Sequence, residues 1–176
     1  MAWWLFEHYD PWDTSLNVPN DKLLIYDEDV HATLGLLMGS YQIQNLKSIE
    51  DDTAYIEFLK ERRRRWNITK GAPHVGSMYE IILQRGGHRP DFVTDFIIYA
   101  ISTCIIANSN GTCNFRILKH LQNVENISSY NWCAFVIKCM NNTIMEWKAD
   151  KTKFLHWTST IPNGKYSNSC HLLHIY

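Results

Sequence analysis

The chain has 176 residues, of which 45% are hydrophobic and 20% charged, and this balance fits a globular domain of ordinary size. It carries 17 Lys and Arg against 18 Asp and Glu, and the formal net charge of -1 excludes a strong overall field for nucleic acid or anionic lipid. With 7 Trp, 9 Tyr and 7 Phe, the chain is also unlike disordered proteins, which are poor in the large apolar side chains that offset ordering entropy.

Aromatic side chains crowd the beginning of the chain, where Trp3, Trp4, Phe6 and Trp12 precede the first well-formed helix pattern. Neither a basic start nor a long apolar stretch indicates an export signal there. Trp and Tyr anchor protein interfaces more often than other residues do. We therefore expect these four aromatics to bind a partner, with the alternative that they pack inward and tie the N-terminus to the core.

Residues 10 to 30 predict a small β-hairpin followed by a helix. Ser15 to Val18 and Leu23 to Tyr26 have the composition of strands, and Pro19-Asn20-Asp21 between them favours a turn. Asp27 is predicted as the N-cap of the following helix, because a short polar side chain there accepts a hydrogen bond from the first turn.

Short helix patterns separated by Gly, Pro and Asn continue along the chain. The clearest pattern is amphipathic and covers residues 48 to 66, with Ser48 as its predicted cap. Further helices are predicted at residues 75–84, 92–107, 115–124 and 130–147. The sequence therefore predicts a mainly α fold, in which a compact multi-helix domain over residues 1–176 carries a small N-terminal β-hairpin.

Four consecutive arginines, Arg62, Arg63, Arg64 and Arg65, end the amphipathic helix. Such a basic patch is typical of a nuclear-localisation signal or of contacts with the phosphates of a nucleic acid. The alternative is a solvated helix end whose cations complement the helix dipole. Both interpretations remain open from the sequence.

The five cysteines have no spacing typical of a metal site or of a catalytic nucleophile. Cys170, His171 and His174 lie close together, but no second half of a zinc site is evident. Cys133 and Cys139 lie in an apolar helix pattern, where burial disfavours a reactive thiolate. Phosphate-binding and dinucleotide-binding glycine motifs are absent from the sequence. We therefore expect no enzyme activity, no cofactor, no metal, and free thiols in a reducing compartment.

The most apolar stretch covers residues 96 to 107 and is shorter than the roughly 20 residues that a membrane-spanning helix requires. We expect a buried core helix there and no transmembrane segment. The expected location is intracellular, either cytoplasmic or nuclear, and hydrophobicity alone leaves an association with mitochondria open.

Several segments resemble, in the same order, a known family of plant domains. Residues 9–36, from Tyr9-Asp10-Pro11 to LIYDEDVHATLGL, are similar to the family's opening, which reads as an aspartate turn, a strand and "I-x-x-x-D-V-x-x-x-L-G-L". Residues 92–104 and 121–136 resemble its "F-x-x-Y-x-x-x-T" and "L-x-x-V-x-x-I-x-x-Y-N-W-x-x-F-V" elements. Residues 170–176 (CHLLHIY) resemble its closing "G-C-x-x-x-L-x-x-Y" element, with Ser169 in place of the usual glycine. By this resemblance the chain is identified as a plant mobile domain of the aminotransferase-like family.

The resemblance implies an origin in transposon-derived plant proteins, where this domain often precedes a ubiquitin-like-protein-specific cysteine protease domain. It implies no demonstrated transaminase chemistry, and it covers none of the protease. The expected function is a non-catalytic protein-interaction module that binds a host protein or itself. One alternative is a toxin or antidote component of a plant selfish genetic element that acts by binding a host protein. A second alternative is a nucleic-acid-contacting module that uses the arginine run.

Overall fold

A computed structural model of the chain describes residues 2–44, 53–85, 90–108, 110–115 and 117–149. Within these ranges the fold is mainly α, as predicted. The α-helices are α1 (Ala2–His8), α2 (Asp27–Leu34), α3 (Thr53–Arg65), α4 (Val75–Arg85), α5 (Pro90–Cys104) and α6 (Trp132–Ala149). The strands are β1 (Tyr9–Asp10), β2 (Ser15–Val18), β3 (Asp21–Leu24), β4 (Tyr41–Gln42) and β5 (Tyr130–Asn131). Two 3-10 helices cover Leu118–Leu121 and Val124–Ser129.

The N-terminal β structure is a three-stranded antiparallel sheet in the order β1-β2-β3, so the prediction of a hairpin was incomplete. The predicted hairpin is present, since β2 and β3 pair from Ser15 opposite Leu24 to Val18 opposite Asp21. The additional strand β1 pairs Tyr9 with Leu16. A strand of two residues is too short to show the alternation by which strands are recognised in a sequence.

Several helix boundaries differ from the predicted ones. The N-cap of α2 is Tyr26, and the predicted cap Asp27 is the first helical residue. Residues 115–124 form no α-helix in their described part, because the 3-10 helix of Leu118–Leu121 lies there instead. The predicted cap Ser48 and the helix pattern before residue 53 lie outside the described residues.

The chain divides into two compact units, Met1–Ile25 with Met140–Tyr176 and Tyr26–Cys139, so that the boundary falls within α6. In the first unit, the Tyr9 hydroxyl donates to Oδ1 of Asn141 at 2.5 Å, and Nζ of Lys148 donates to the Tyr9 carbonyl at 2.7 Å. These bonds join the three-stranded sheet to the C-terminal part of α6. The single domain over residues 1–176 stays a prediction.

The second unit contains the larger apolar core. Met78 of α4, Ile98 of α5 and Leu118 of the first 3-10 helix have no exposed surface, and Trp132 at the start of α6 is 6% exposed. The indole of Trp66 lies against the ring of Phe115, with 5.0 Å between the ring centroids. Apolar side chains from α3, α4, α5 and α6 therefore share one interior, as the helical periodicity predicts.

Candidate functional site

Two of the four N-terminal aromatics pack against α6 in the first unit. The rings of Trp3 and Trp147 meet edge to face with 5.0 Å between centroids, and the Phe6 ring lies 5.6 Å from that of Trp147. Trp3 and Phe6 are three residues apart, so they lie on the same face of α1. This face ties α1 to the C-terminal part of α6.

Trp4 and Trp12 lie outside this contact, although the exposed fraction of Trp4 is close to the 41% of Trp3. Trp4 stacks on His8, with 4.3 Å between ring centroids, and remains 42% exposed. Trp12 is 86% exposed and lies in the turn that follows β1. The four predicted partner-binding residues therefore fall into two groups. Trp3 and Phe6 contact Trp147, whereas Trp4 and Trp12 do not share this contact.

The turn that carries Trp12 is fixed by polar contacts. The backbone N–H of Trp12 donates to Oδ1 of Asp10 at 3.0 Å, and the hydroxyl of the fully buried Ser15 donates to Oδ1 of Asp13 at 2.5 Å. Asp13 also pairs with Lys22 of β3, and the hydrogen bonds from Lys22 and Ser15 hold the pKa of Asp13 below its ordinary value. Trp12 is thus an exposed indole on an ordered turn. Disordered loops do not present side chains in this way.

Each member of the arginine run has a partner in the structure. The exposed Arg64 donates to both carboxylate oxygens of Glu61, at 2.8 and 2.9 Å, and Nε of Arg63 donates to the Gly71 carbonyl at 3.3 Å. Arg62 is buried, with 7% of its surface exposed. The run is therefore not a uniform solvated strip of charge.

Arg62 and Arg65 form a cluster of charges with Asp91 and Asp95 of α5. Nη2 of Arg62 and Nη1 of Arg65 lie 2.8 and 3.0 Å from the two carboxylate oxygens of Asp91. Nε of Arg65 donates to Oδ2 of Asp95 at 3.1 Å, and Nε1 of Trp66 donates to Oδ1 at 2.8 Å. The Asp95 side chain is only 2% exposed, so these partners compensate a carboxylate removed from water.

The geometry of this cluster follows from helical spacing. Arg62 and Arg65 lie three residues apart at the end of α3, and Trp66 follows directly, with its backbone N–H donating to the Arg62 carbonyl. Asp91 and Asp95 lie four residues apart on α5, so they share one helix face. The spacing of these residues along each helix can be read from the sequence. A run of four arginines, however, is usually interpreted as a solvent-exposed charged patch. The cluster joins two helices and leaves no carboxylate free for acid or base chemistry.

A segment that sequence reasoning did not select as a site, residues 26–42, is held at one end of α6. We call it the α2 segment. The side chain of Asn131 caps α6 by accepting from the Ala134 N–H at 2.9 Å, and its Nδ2 donates to Oδ2 of Asp27 at 2.7 Å. The backbone of Asn131 also bridges to Met38. An Asn just before an apolar helix pattern is a typical N-cap signal, and it would have located the start of α6.

The last part of the α2 segment continues these contacts. The Gly39 N–H donates to the Tyr130 carbonyl at 3.1 Å, and the backbone N–H of Trp132 donates to the Leu37 carbonyl at 2.9 Å. The rings of Tyr41 and Tyr130 lie 6.4 Å apart on the paired strands β4 and β5. Backbone hydrogen bonds therefore fix the position of this segment, whose side chains remain largely exposed.

The described cysteines differ in accessibility. Burial raises the pKa of Cys113 to about 11 and also raises the pKa of Cys133, whose thiol donates to the Leu36 carbonyl at 3.3 Å. Cys139 is buried as well, whereas Cys104 is exposed. The raised pKa values keep the thiols of Cys113 and Cys133 protonated, and a protonated thiol is a poor nucleophile and a poor metal ligand.

Neither a metal site nor a membrane span is found within the described ranges. Across these residues, His, Cys, Asp and Glu side chains form no group of three or more that is arranged to hold a metal ion. The predicted trio of Cys170, His171 and His174 lies outside them. None of the described helices combines the length and the hydrophobicity that crossing a membrane requires.

Comparison with known proteins assigns the chain to a family. No curated protein and no solved structure matches the sequence. A family model described as a domain of unknown function, DUF8566, matches residues 1–158, which is most of the chain. The chain therefore belongs to the DUF8566 family.

Proposed function

We propose that the protein is a non-catalytic interaction module that binds a host protein or a second copy of itself through Trp12. The observation that carries the proposal is the 86% exposure of this indole on a turn fixed by the Asp13 contacts. Exposing the apolar surface of a Trp side chain to water is energetically unfavourable. A rigid Trp also loses little conformational entropy when a partner covers it. Trp4, which is 42% exposed, supplies further aromatic surface in the same unit.

The chemistry of the described side chains supports a role without catalysis. The buried thiols of Cys113 and Cys133 have raised pKa values, and the carboxylates of Asp91 and Asp95 are committed to arginines. Enzymes instead place an activated nucleophile beside a free base.

The origin and location in this proposal rest on the sequence alone. The resemblance to plant mobile domains favours a transposon-related plant protein that acts in the cytoplasm or the nucleus. The toxin or antidote alternative uses the same binding chemistry and differs only in its consequence for the host. A nucleic-acid role has less support, because carboxylates of α5 engage Arg62 and Arg65, and the exposed Arg64 is paired with Glu61.

Trp12→Ser tests the proposal. We expect it to lower the recovery of a partner from plant extract, or to shift sedimentation from oligomer to monomer, while the melting temperature is unchanged. The matched control is Phe96→Ser, which removes an aromatic side chain that is 46% exposed in the second unit. If Trp12→Ser alters neither partner recovery nor sedimentation, or if Phe96→Ser alters them equally, the proposal is wrong.

A second variant tests the inward-packing aromatics. Trp3→Ser removes the edge-to-face contact with Trp147 and should lower the melting temperature. Unchanged stability together with lost partner binding would place Trp3 in the interface, as the sequence first predicts.

A further inference from the structure

We propose that the α2 segment, residues 26–42, is a second docking surface, and that its occupant is a basic amphipathic helix of a partner protein. This inference goes beyond the proposed function, because it concerns the second unit and does not require Trp12. It rests on the helix α2, on the apolar side chains around it, and on their charge.

The helix α2 buries none of its residues. Isolated helices shorter than about 12 residues are marginal in water, so other interactions must hold this one. Oδ2 of Asp29 accepts from the Tyr26 N–H at 2.8 Å and closes the first turn. At the other end, Gly35 adopts a left-handed φ of 66° and donates to the His31 carbonyl at 2.8 Å. Caps and the Asn131 anchor therefore hold α2 in place without covering its apolar side chains.

Apolar side chains along the α2 segment form a run of exposed hydrophobic residues in the described part of the second unit. The exposed fractions are 55% for Tyr26, 57% for Leu34, 46% for Leu37, 40% for Met38 and 64% for Tyr41. Single exposed apolar residues are ordinary, but a cluster of this kind marks an interaction surface.

The anchor brings both ends of the segment together. Asp27 at the start of α2 and Met38 beyond its end both contact Asn131. The side-chain nitrogen Nδ1 of His31 also lies 2.6 Å from the Leu36 carbonyl and draws the chain after α2 back along the helix. The start of α2, next to Tyr26, and the residues after Gly35 therefore lie together beside Asn131.

The acidic charge of the α2 segment indicates which kind of partner helix it binds. Asp27, Glu28 and Asp29 form the first turn of α2, and the sequence contains no Lys or Arg between Lys22 and Lys47. An apolar surface beside an acidic helical turn complements a helix with Leu-type anchors on one face and Lys or Arg beside them. A second copy fits less well, because a two-fold contact through this segment would bring the same acidic turns together.

A synthetic peptide provides the direct test. The probe is a fluorescent peptide of leucine and lysine alone, about four helical turns long, with leucines at helical spacing. We expect saturable binding by fluorescence anisotropy, weakened by added salt because the contacts are partly electrostatic. A peptide with glutamate in place of every lysine should not bind.

Matched variants locate the binding. Leu34→Ser should raise the Kd about tenfold, the loss that a contributing apolar anchor produces. The control is Leu83→Ser on α4, because Leu34 and Leu83 are 57% and 58% exposed. Met38→Ser repeats the test outside the helix if Leu34→Ser destabilises α2. Glu28→Lys should weaken binding, while Glu80→Lys, the same charge change on α4, should not.

Every other outcome overturns the inference. It is wrong if the lysine peptide does not bind, if both peptides bind equally, or if Leu83→Ser weakens binding as much as Leu34→Ser. It is also wrong if the chain dimerises and Leu34→Ser abolishes the dimer, since the occupant is then a second copy. Trp12→Ser should leave the peptide Kd unchanged. If it abolishes peptide binding, the second surface fails while the proposed function stands.

Discussion

Gly39 lies where the α2 segment meets the backbone before α6. A Cβ on this residue would collide with the backbone of Ser129 and Tyr130, and its N–H donates to the Tyr130 carbonyl. Backbone cannot move aside as a flexible side chain can. Gly39→Ala should therefore lower the free energy of unfolding by more than about 2 kcal/mol, the range of overpacked sites.

Gly35 supplies the comparison for that measurement. A Cβ on Gly35 would meet open space, but the left-handed φ of 66° disfavours any L side chain. Gly35→Ala should therefore cost only about 1 to 2 kcal/mol. Chemical denaturation of both variants checks the order, and a larger loss at Gly35 would contradict the close packing at Gly39.

Trp132 is the second residue whose role can be tested alone. Its indole is 6% exposed, donates to the Ile127 carbonyl at 2.9 Å and meets the Phe135 ring edge to face. Trp132→Ala should lower the free energy of unfolding by about 3 to 5 kcal/mol, because it leaves a cavity and an unsatisfied carbonyl. Trp12→Ala removes the same side chain from an exposed turn and should leave stability unchanged. Equal melting temperatures for the Trp132 variant and the parent would contradict its place in the core.

Helices α3 and α5 are joined by the charged cluster, which makes Asp95 the residue to change. Asp95→Ala leaves the 7% exposed Arg62 and the neighbouring Arg65 with less compensation. Removing one partner of a buried ion pair costs about 3 to 5 kcal/mol, and we expect a loss of this size by denaturant unfolding.

An exposed pair on the same helix is the control. Arg64 and Glu61 form an ion pair whose side chains are 79% and 59% exposed, so Glu61→Gln should leave the unfolding midpoint unchanged. If Glu61→Gln and Asp95→Ala destabilise the protein equally, burial does not determine the strength of these pairs. The contrast also shows that one arginine run contains both a buried and an exposed guanidinium group.

Helical periodicity predicted the elements with long apolar stripes. The patterns at residues 75–84 and 92–107 correspond to α4 and α5, because their buried faces repeat over several turns. Elements stabilised by contacts distant in sequence gave no such signal. The helix α1 packs through Trp147, and β1 exists because it pairs with β2. The Leu118–Leu121 region has apolar spacing but forms only a 3-10 turn, so spacing alone overestimated its length.

Candidate surfaces were harder to predict than core positions. Trp12 was identified together with Trp3 because both precede the first well-formed helix pattern, and that position could not separate Trp12 from Trp3, which contacts Trp147. The apolar residues of the α2 segment have the spacing of a core helix, and this spacing alone favours a buried Leu34. Its 57% exposure depends on the tertiary position that Asn131 gives the segment, and a local pattern does not contain that information.

At the scale of the whole molecule, the interior of the second unit can be followed through its thiols. Cys113, Cys133 and Cys139 are buried, Cys104 is exposed, and Cys170 lies outside the described residues. In a Cys170→Ser background, a thiol reagent at neutral pH should therefore label one cysteine quickly. The other three should react only as the second unit opens, because burial blocks the reagent and the raised pKa of Cys113, about 11, keeps that thiol protonated.

The labelling kinetics test this interior as a whole. Adding Cys104→Ser should remove the fast phase and leave the slow phase unchanged, as counted by intact-protein mass spectrometry. Denaturant should raise the slow rate in parallel with the loss of helical circular dichroism, because the same opening exposes the thiols and disrupts the helices. Rapid labelling of Cys133 or Cys113 in the native protein would contradict the packed interior. It would also reopen thiol chemistry as a function of this chain.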